Sequence, residues 1–273
     1  MPKSWGSVAR RGGRVVTGEE WREPPEGEER PDRARPRGAP AKRKQERAPA
    51  ARRGAERPEA ARRRSRLPAE VTREVERAGG RRGQQMAERL GYAAEAYARD
   101  RYPEARSLLR PLAHELPAVA SVRELYGLVL YRVGSWSAAL KELLEAARLA
   151  DSVDQHPVIA DCYRALRRYR KVEEVWEQLR RGGASAEVMA EGRLVRAGAL
   201  ADQGNLAEAI ELLEDAAGRE LRRPRLDHLR QWYALGDLYE RSGDIPKARS
   251  YFHRVATHDP EHADVEHRIR ALR

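Results

Sequence analysis

Side chains able to do chemistry are few and scattered. The chain has one cysteine and seven histidines in 273 residues. Cys162 stands beside Tyr163 in an apolar helical pattern, and the nearest histidine, His156, is six residues back, which is not the setting of a thiolate–imidazole pair. His258 and His262 are four apart, a spacing that can place two metal ligands on one helical face. Pro260 lies between them and is expected to open a new helix, so they should not share a face. No phosphate loop of the form Gly-x₄-Gly-Lys occurs, and no Gly-x-Gly-x-x-Gly follows a strand. Acidic residues are numerous but mostly stand four from an arginine, as on solvated helix faces. The sequence is read as non-enzymatic, with no catalytic, cofactor or metal residues. A lone cysteine makes no internal disulfide, so a cytoplasmic setting is expected.

Charge is the second feature. Charged residues make up 36% of the chain and apolar ones 40%, so part of it is not packing a core. Of 54 Lys and Arg and 43 Asp and Glu, residues 1–66 hold 20 and 10, a net of +10 out of +11. Residues 1–66 also lack a sustained apolar period and cannot offset the entropy of ordering, so they are expected to be a disordered basic tail. Their candidate contacts are Trp5, flanked by arginines, and the clusters Lys42-Arg43-Lys44 and Arg62-Arg63-Arg64. The run 33–66 reads first as a solvated linker, and is also compatible with an acidic partner or nucleic acid, through phosphate counterion release. It holds no aromatic residue, so base stacking is not expected. No secretory signal is read at the N-terminus, and no stretch is apolar enough for a membrane span.

The remaining chain is built of helices. Residues 67–81 predict a short lead-in helix, with Val71, Val75 and Ala78 on one face and Gly79-Gly80 as its stop. The stretch Trp232–Pro260 carries Trp232, Leu235, Gly236, Tyr239, Ala248, Phe252 and Pro260, a spacing of W-x₂-L-G-x₂-Y, A-x₃-F and P. Sliding that pattern back finds the small residue of closest helix approach at Ala105, Ala139, Val172, Ala209 and Ala248, with gaps of 34, 33, 37 and 39 residues. The units run about 82–117, 119–150, 157–181, 186–218 and 229–260. The two longest gaps predict longer loops. The third unit departs most, with Arg167 at the turn and Val172 at the close approach, so its helices should be tilted or shortened. Residues 262–272, with Val265, Ile269 and Leu272 on one face, predict a capping helix. The fold class is all-α: an α-solenoid of about five helix–turn–helix repeats with a C-terminal cap, behind the tail.

Residues 82–273 resemble tetratricopeptide repeat proteins, on the motifs just given. The layout of a basic tail before repeats is similar, more loosely, to tail-plus-repeat proteins of high-GC actinobacteria. The first resemblance implies a superhelix whose concave groove, lined by the first helix of each repeat, binds protein segments. Carried over position by position, the groove would comprise Leu90, Ala94 and Tyr97; Glu124, Leu128, Tyr131 and Arg132; Asp161 and Arg164; Leu194 and Asp202; and Arg230, Tyr233, Asp237 and Glu240. Its first part is aromatic and apolar, its last part carries both charges, and an apolar anchor of the partner is expected near Tyr97 and Tyr131. Some members hold a C-terminal carboxylate with Lys and Asn at the fifth and ninth positions. The ninth positions here are Ala94, Leu128, Asp161, Gly198 and Asp237, and the fifth carry no Lys, so that clamp is not expected. The function expected is that of a protein–protein interaction scaffold, the alternative being a nucleic-acid- or ribosome-associated protein that uses the arginine-rich tail as an electrostatic tether.

Overall fold

The computed structural model describes residues 67–217 and 221–272. Expectations for Trp5, Lys42, Arg43, Lys44, Arg62, Arg63 and Arg64, and for tail disorder, lie outside those residues. The described chain is helical throughout: α1 (Ala69–Gly79), α2 (Gly83–Ala98), α3 (Tyr102–Glu115), α4 (Ala120–Arg132), α5 (Trp136–Ala150), α6 (His156–Ala165), α7 (Tyr169–Arg181), α8 (Ala186–Asp202), α9 (Leu206–Ala217), α10 (Leu226–Ser242), α11 (Ile245–His258) and α12 (Val265–Ala271). From α2 to α11 these form five consecutive helix pairs, with α1 before them and α12 after.

One turn geometry, used five times, makes the pairs. Asp100, Gly134, Arg167, Gly204 and Gly243 each have positive φ, between 55° and 88°, directly after the first helix of a pair. The next residue's N–H reaches back five residues, in the bonds Arg101 to Ala96, Ser135 to Leu130, Arg168 to Tyr163, Asn205 to Leu200 and Asp244 to Tyr239, all 2.8 to 2.9 Å. The positive-φ residue itself bonds back three, the paired contacts of a Schellman stop. The carbonyl of each of those reaching-back residues then accepts the first hydrogen bond of the second helix. The donors are Ala105, Ala139, Val172, Ala209 and Ala248. The same five positions are 0 to 1% exposed, where the two helices of each pair meet. Glycine widens two of the crossings. A Cβ on Gly127 would stand 2.6 Å from Leu143 Cγ, and one on Gly236 2.7 Å from the Phe252 ring.

The third pair keeps the geometry with the wrong residues. Arg167 takes φ of 55°, a conformation that costs a residue with a Cβ roughly 1–2 kcal/mol. Its first helix, α6, has 10 residues, against 13 in α4 and 17 in α8 and α10. The long gaps need a correction. The 37-residue gap comes from the extra turn of α8, since the connection before it is only 182–185. The 39-residue gap combines a 17-residue α10 with the longer connection 218–225. Ala78 is also exposed rather than packed with Val71 and Val75. Pro260 does not open the last helix; residues 259–264 form turns, and α12 begins at Val265.

Buried apolar side chains fall into separate groups. One joins α1 through α7 and reaches Ala199 of α8. Another joins α8 through α12, and Val265, Ile269 and Leu272 of the cap pack on it as expected. A small third group, Trp176, Leu179 and Val188, lies between α7 and α8. Where the third and fourth pairs meet, this small apolar group is joined by polar contacts.

Candidate partner-binding face

The first helices of the pairs, α2, α4, α6, α8 and α10, carry the expected partner residues, and the structure sorts them into two kinds. Leu90, Ala94, Tyr97 and Leu128 are buried in the stack and offer no surface to a partner in this structure. Leu194 is half-buried against the C-terminal group. The Tyr97 ring meets Tyr102 edge-on at 5.7 Å, and its hydroxyl has no hydrogen-bond partner among the described residues. Burial pushes that hydroxyl's pKa up, with Asp100 and Glu124 adding to the effect and Arg132 opposing it.

The polar members are tied to one another from pair to pair. Gln155 Nε2 donates to Glu124 at 2.7 Å. The Tyr131 hydroxyl donates to Asp161 at 2.6 Å, while the Tyr131 ring leans on Trp136 at 5.3 Å. Asp161 also lies 3.5 Å from Arg164, whose guanidinium forks onto both carboxylate oxygens of Asp202 at 2.6 and 3.2 Å. Arg230 meets Glu191 at 2.6 Å, and Arg241 donates to the Ala201 carbonyl at 3.0 Å. At the C-terminal end Arg268 of α12 binds Asp237 at 2.8 Å and Glu240 at 2.7 Å, and the Tyr233 hydroxyl bonds Asp264. Arg132 covers the Tyr102 ring at 4.8 Å and lies 3.6 Å from Asp100 of the first turn.

Burial and charge act together on these groups. The Tyr131 hydroxyl is driven well above its ordinary pKa by burial and by Asp161. Burial works against the Arg164 charge, yet its bond to Asp202 and the charges of Asp161 and Asp202 carry its pKa above the ordinary value. The same holds for Arg268 with Asp237 and Glu240. Both cations stay charged at every pH the protein meets.

Sequence reasoning singled out the positions but not the ties. Glu191, Gln155, Arg268 and Asp264 complete them, and Gly198 makes room for one. A Cβ on Gly198 would stand 2.7 Å from Arg164 Cζ. The available signal was opposite charge at nearly equivalent positions of neighbouring repeats, as in Arg164, eight before Val172, and Asp202, seven before Ala209.

Other reactive side chains are packed away. Cys162 is fully buried, and burial raises its thiol pKa far above the range of a nucleophile. Among the described residues no three His, Cys, Asp or Glu gather where they could hold a metal. Burial also lowers the His156 pKa, against a bond to Gln178 that raises it. The unfolded chain then binds the extra proton more readily, so stability should fall as pH drops through about 6.5, by at most ~1.4 kcal/mol per pH unit. Urea midpoints at pH 7.5 and 5.5 check this: the drop should shrink in His156→Gln.

Comparisons with known proteins agree with the architecture. Residues 230–262 match the tetratricopeptide repeat model, the stretch that holds most of α10 and all of α11. The repeat pairs have the same architecture as solved helical-repeat proteins. TTC0263, a thermophilic TPR protein of Thermus thermophilus, superposes with a TM-score of 0.52 at 21% identity, over 68% of this chain and 98% of that one. The apo form of the quorum sensor NprR of B. thuringiensis superposes at 0.58 with 12% identity, over 74% of this chain and 62% of its own. These identities speak for the fold alone. Curated protein sequences give no match. No helix among the described residues is long and apolar enough to cross a membrane.

Proposed function

We propose that the repeats form a non-enzymatic protein-interaction scaffold that holds a segment of a protein partner along the first helices of the pairs. The observation that carries the reading is the line of ties across that face, from Tyr131 through Asp161 and Arg164 to Asp202, then Arg230 with Glu191, and Arg268 with Asp237 and Glu240. Side chains held in one geometry before a partner arrives lose little freedom on binding, which favours a preformed surface. The half-exposed atoms of these groups offer both donors and acceptors to an extended segment. The tetratricopeptide match supports this use, since it places one pair in a fold built for stacking rather than for chemistry.

The test is affinity capture by the full chain with nuclease present, followed by charge exchange on the face. Arg132→Glu with Glu240→Lys should release the captured protein. Lys171→Glu, on the exposed side of α7, should retain it. Equal retention by both variants would refute the assignment of the face.

A further inference from the structure

The fifth pair shows one side chain that can fill the space behind a first helix; the other four pairs carry Arg89, Arg123, His156 and Arg193 at that count. Trp232 of α10 is fully buried there, and its indole Nε1 donates to the Ala217 carbonyl at the end of α9 at 2.6 Å. Counting from the crossing residues Ala248 and Ala139, the second pair places Arg123 where the fifth places Trp232. Counting from Ala209 and Ala105, Ala113 stands where Ala217 stands. Arg123 imitates the tryptophan in part: its Nε donates to the Pro117 carbonyl at 2.9 Å, and its Nη1 meets Glu142 at 2.6 Å. Beside Arg123 a cleft of about 590 Å³ opens between α3, α4 and α5, lined by Pro111, Ala113, Pro117 and Tyr126 and bordered by Arg110, His114 and Lys141.

Three properties of this cleft point the same way. It is offset from the tied face: at about 100° per residue, Arg123 and Tyr126 are centred roughly 140° around α4 from Glu124, Leu128 and Tyr131. Its walls are two proline rings, a tyrosine and an alanine methyl, which suit a flat apolar side chain. Its two bordering cations, Arg110 and Lys141, have no acidic partner among the described residues, whereas most arginines of this domain are paired. The Arg123 guanidinium in the floor is already neutralised by Glu142, so the uncompensated charge is all at the rim.

We propose that this cleft is a second docking site, which takes an aromatic side chain of a partner peptide flanked by carboxylates. The ring stacks on Tyr126 and the prolines. The flanking carboxylates pair with Arg110, His114 and Lys141. This site is independent of the face proposed above and stands or falls separately.

The probe is an acetylated peptide, Asp-Glu-Trp-Glu-Asp, added to the full chain at physiological salt. A second copy has a benzophenone side chain in place of the tryptophan. Irradiation should cross-link that copy between residues 110 and 142. Binding should weaken about tenfold when the peptide's tryptophan becomes alanine, and about tenfold in Arg110→Glu with Lys141→Glu. Both substitutions are at exposed positions, so the thermal melt should not move, and Arg132→Glu on the tied face should leave peptide binding unchanged. Cross-links confined to residues 1–66, equal binding of the alanine peptide, or no binding at millimolar peptide would each overturn the proposal.

Discussion

Trp232→Ala should remove about 3–5 kcal/mol of stability, a large share of the roughly 5–15 kcal/mol that holds a domain folded. Trp232 is 0% exposed and is the largest of the fully buried side chains. The Arg254 guanidinium covers it at 5.2 Å and the His258 ring lies 5.9 Å away, so alanine leaves a hole that three helices would have to close. The indole also satisfies the Ala217 carbonyl, one of the terminal acceptors that a helix cannot satisfy itself. Trp232→Phe separates the two effects. It keeps most of the ring and orphans the carbonyl, so it should cost about 1–3 kcal/mol. Urea denaturation measures both.

The same variant tests where stability resides. The groups of buried side chains on either side of α8 are distinct, and in a stacked array each pair is stabilised mainly by its neighbours. Hydrogen exchange in Trp232→Ala should therefore accelerate in α9 to α12 well before α2 to α5. Uniform acceleration would show that the tied α6–α8 junction transmits stability as well as an apolar core does.

What the sequence disclosed follows from how local each feature is. The crossing residues and the turns were legible because each depends on a few neighbours. A residue that tolerates positive φ, followed five positions later by the crossing residue, is a signal complete within a few residues. Even Arg167 could be located, since the spacing around it survives although its residue type fits poorly. Lengths between the pairs were not legible. A long gap is filled equally well by a loop or by an extra helical turn, and α8 took the turn because Val188 has Trp176 and Leu179 to pack against. The cap was found by its apolar period, but its start was misplaced. A proline permits a helix start without requiring one. The face for a partner was legible in position and not in state. Leu90 and Leu128 look like lining residues until the neighbouring pair covers them. Arg164 looks like a free cation until Asp202, 38 residues away, is brought to 2.6 Å.

Gly198 offers the sharpest check on that tie, because the sign of its effect should reverse. In an ordinary exposed helix interior, Gly→Ala stabilises by roughly 0.5–1 kcal/mol by reducing the freedom of the unfolded chain. Here the new methyl would stand 2.7 Å from both Cζ and Nη1 of Arg164. A long side chain usually swings away at little cost, but this one is forked onto Asp202 and sits beside Asp161. Moving it leaves two carboxylates without their cation. The Arg164 and Asp202 side chains are 20% and 32% exposed, so water recovers part of the loss, and the cost falls below that of a fully buried pair. Gly198→Ala should thus destabilise by about 1–3 kcal/mol. Arg164→Ala should cost a similar amount. With Arg164 already removed, the three atoms nearest the methyl are gone, and Gly198→Ala should become neutral or stabilising. The two changes together would then differ from their sum by about 2 kcal/mol, well beyond the few tenths expected of independent sites. Simple additivity in the urea midpoints would mean that the guanidinium is not held where the structure places it, and that the α6–α8 junction is kept together by its few apolar contacts alone.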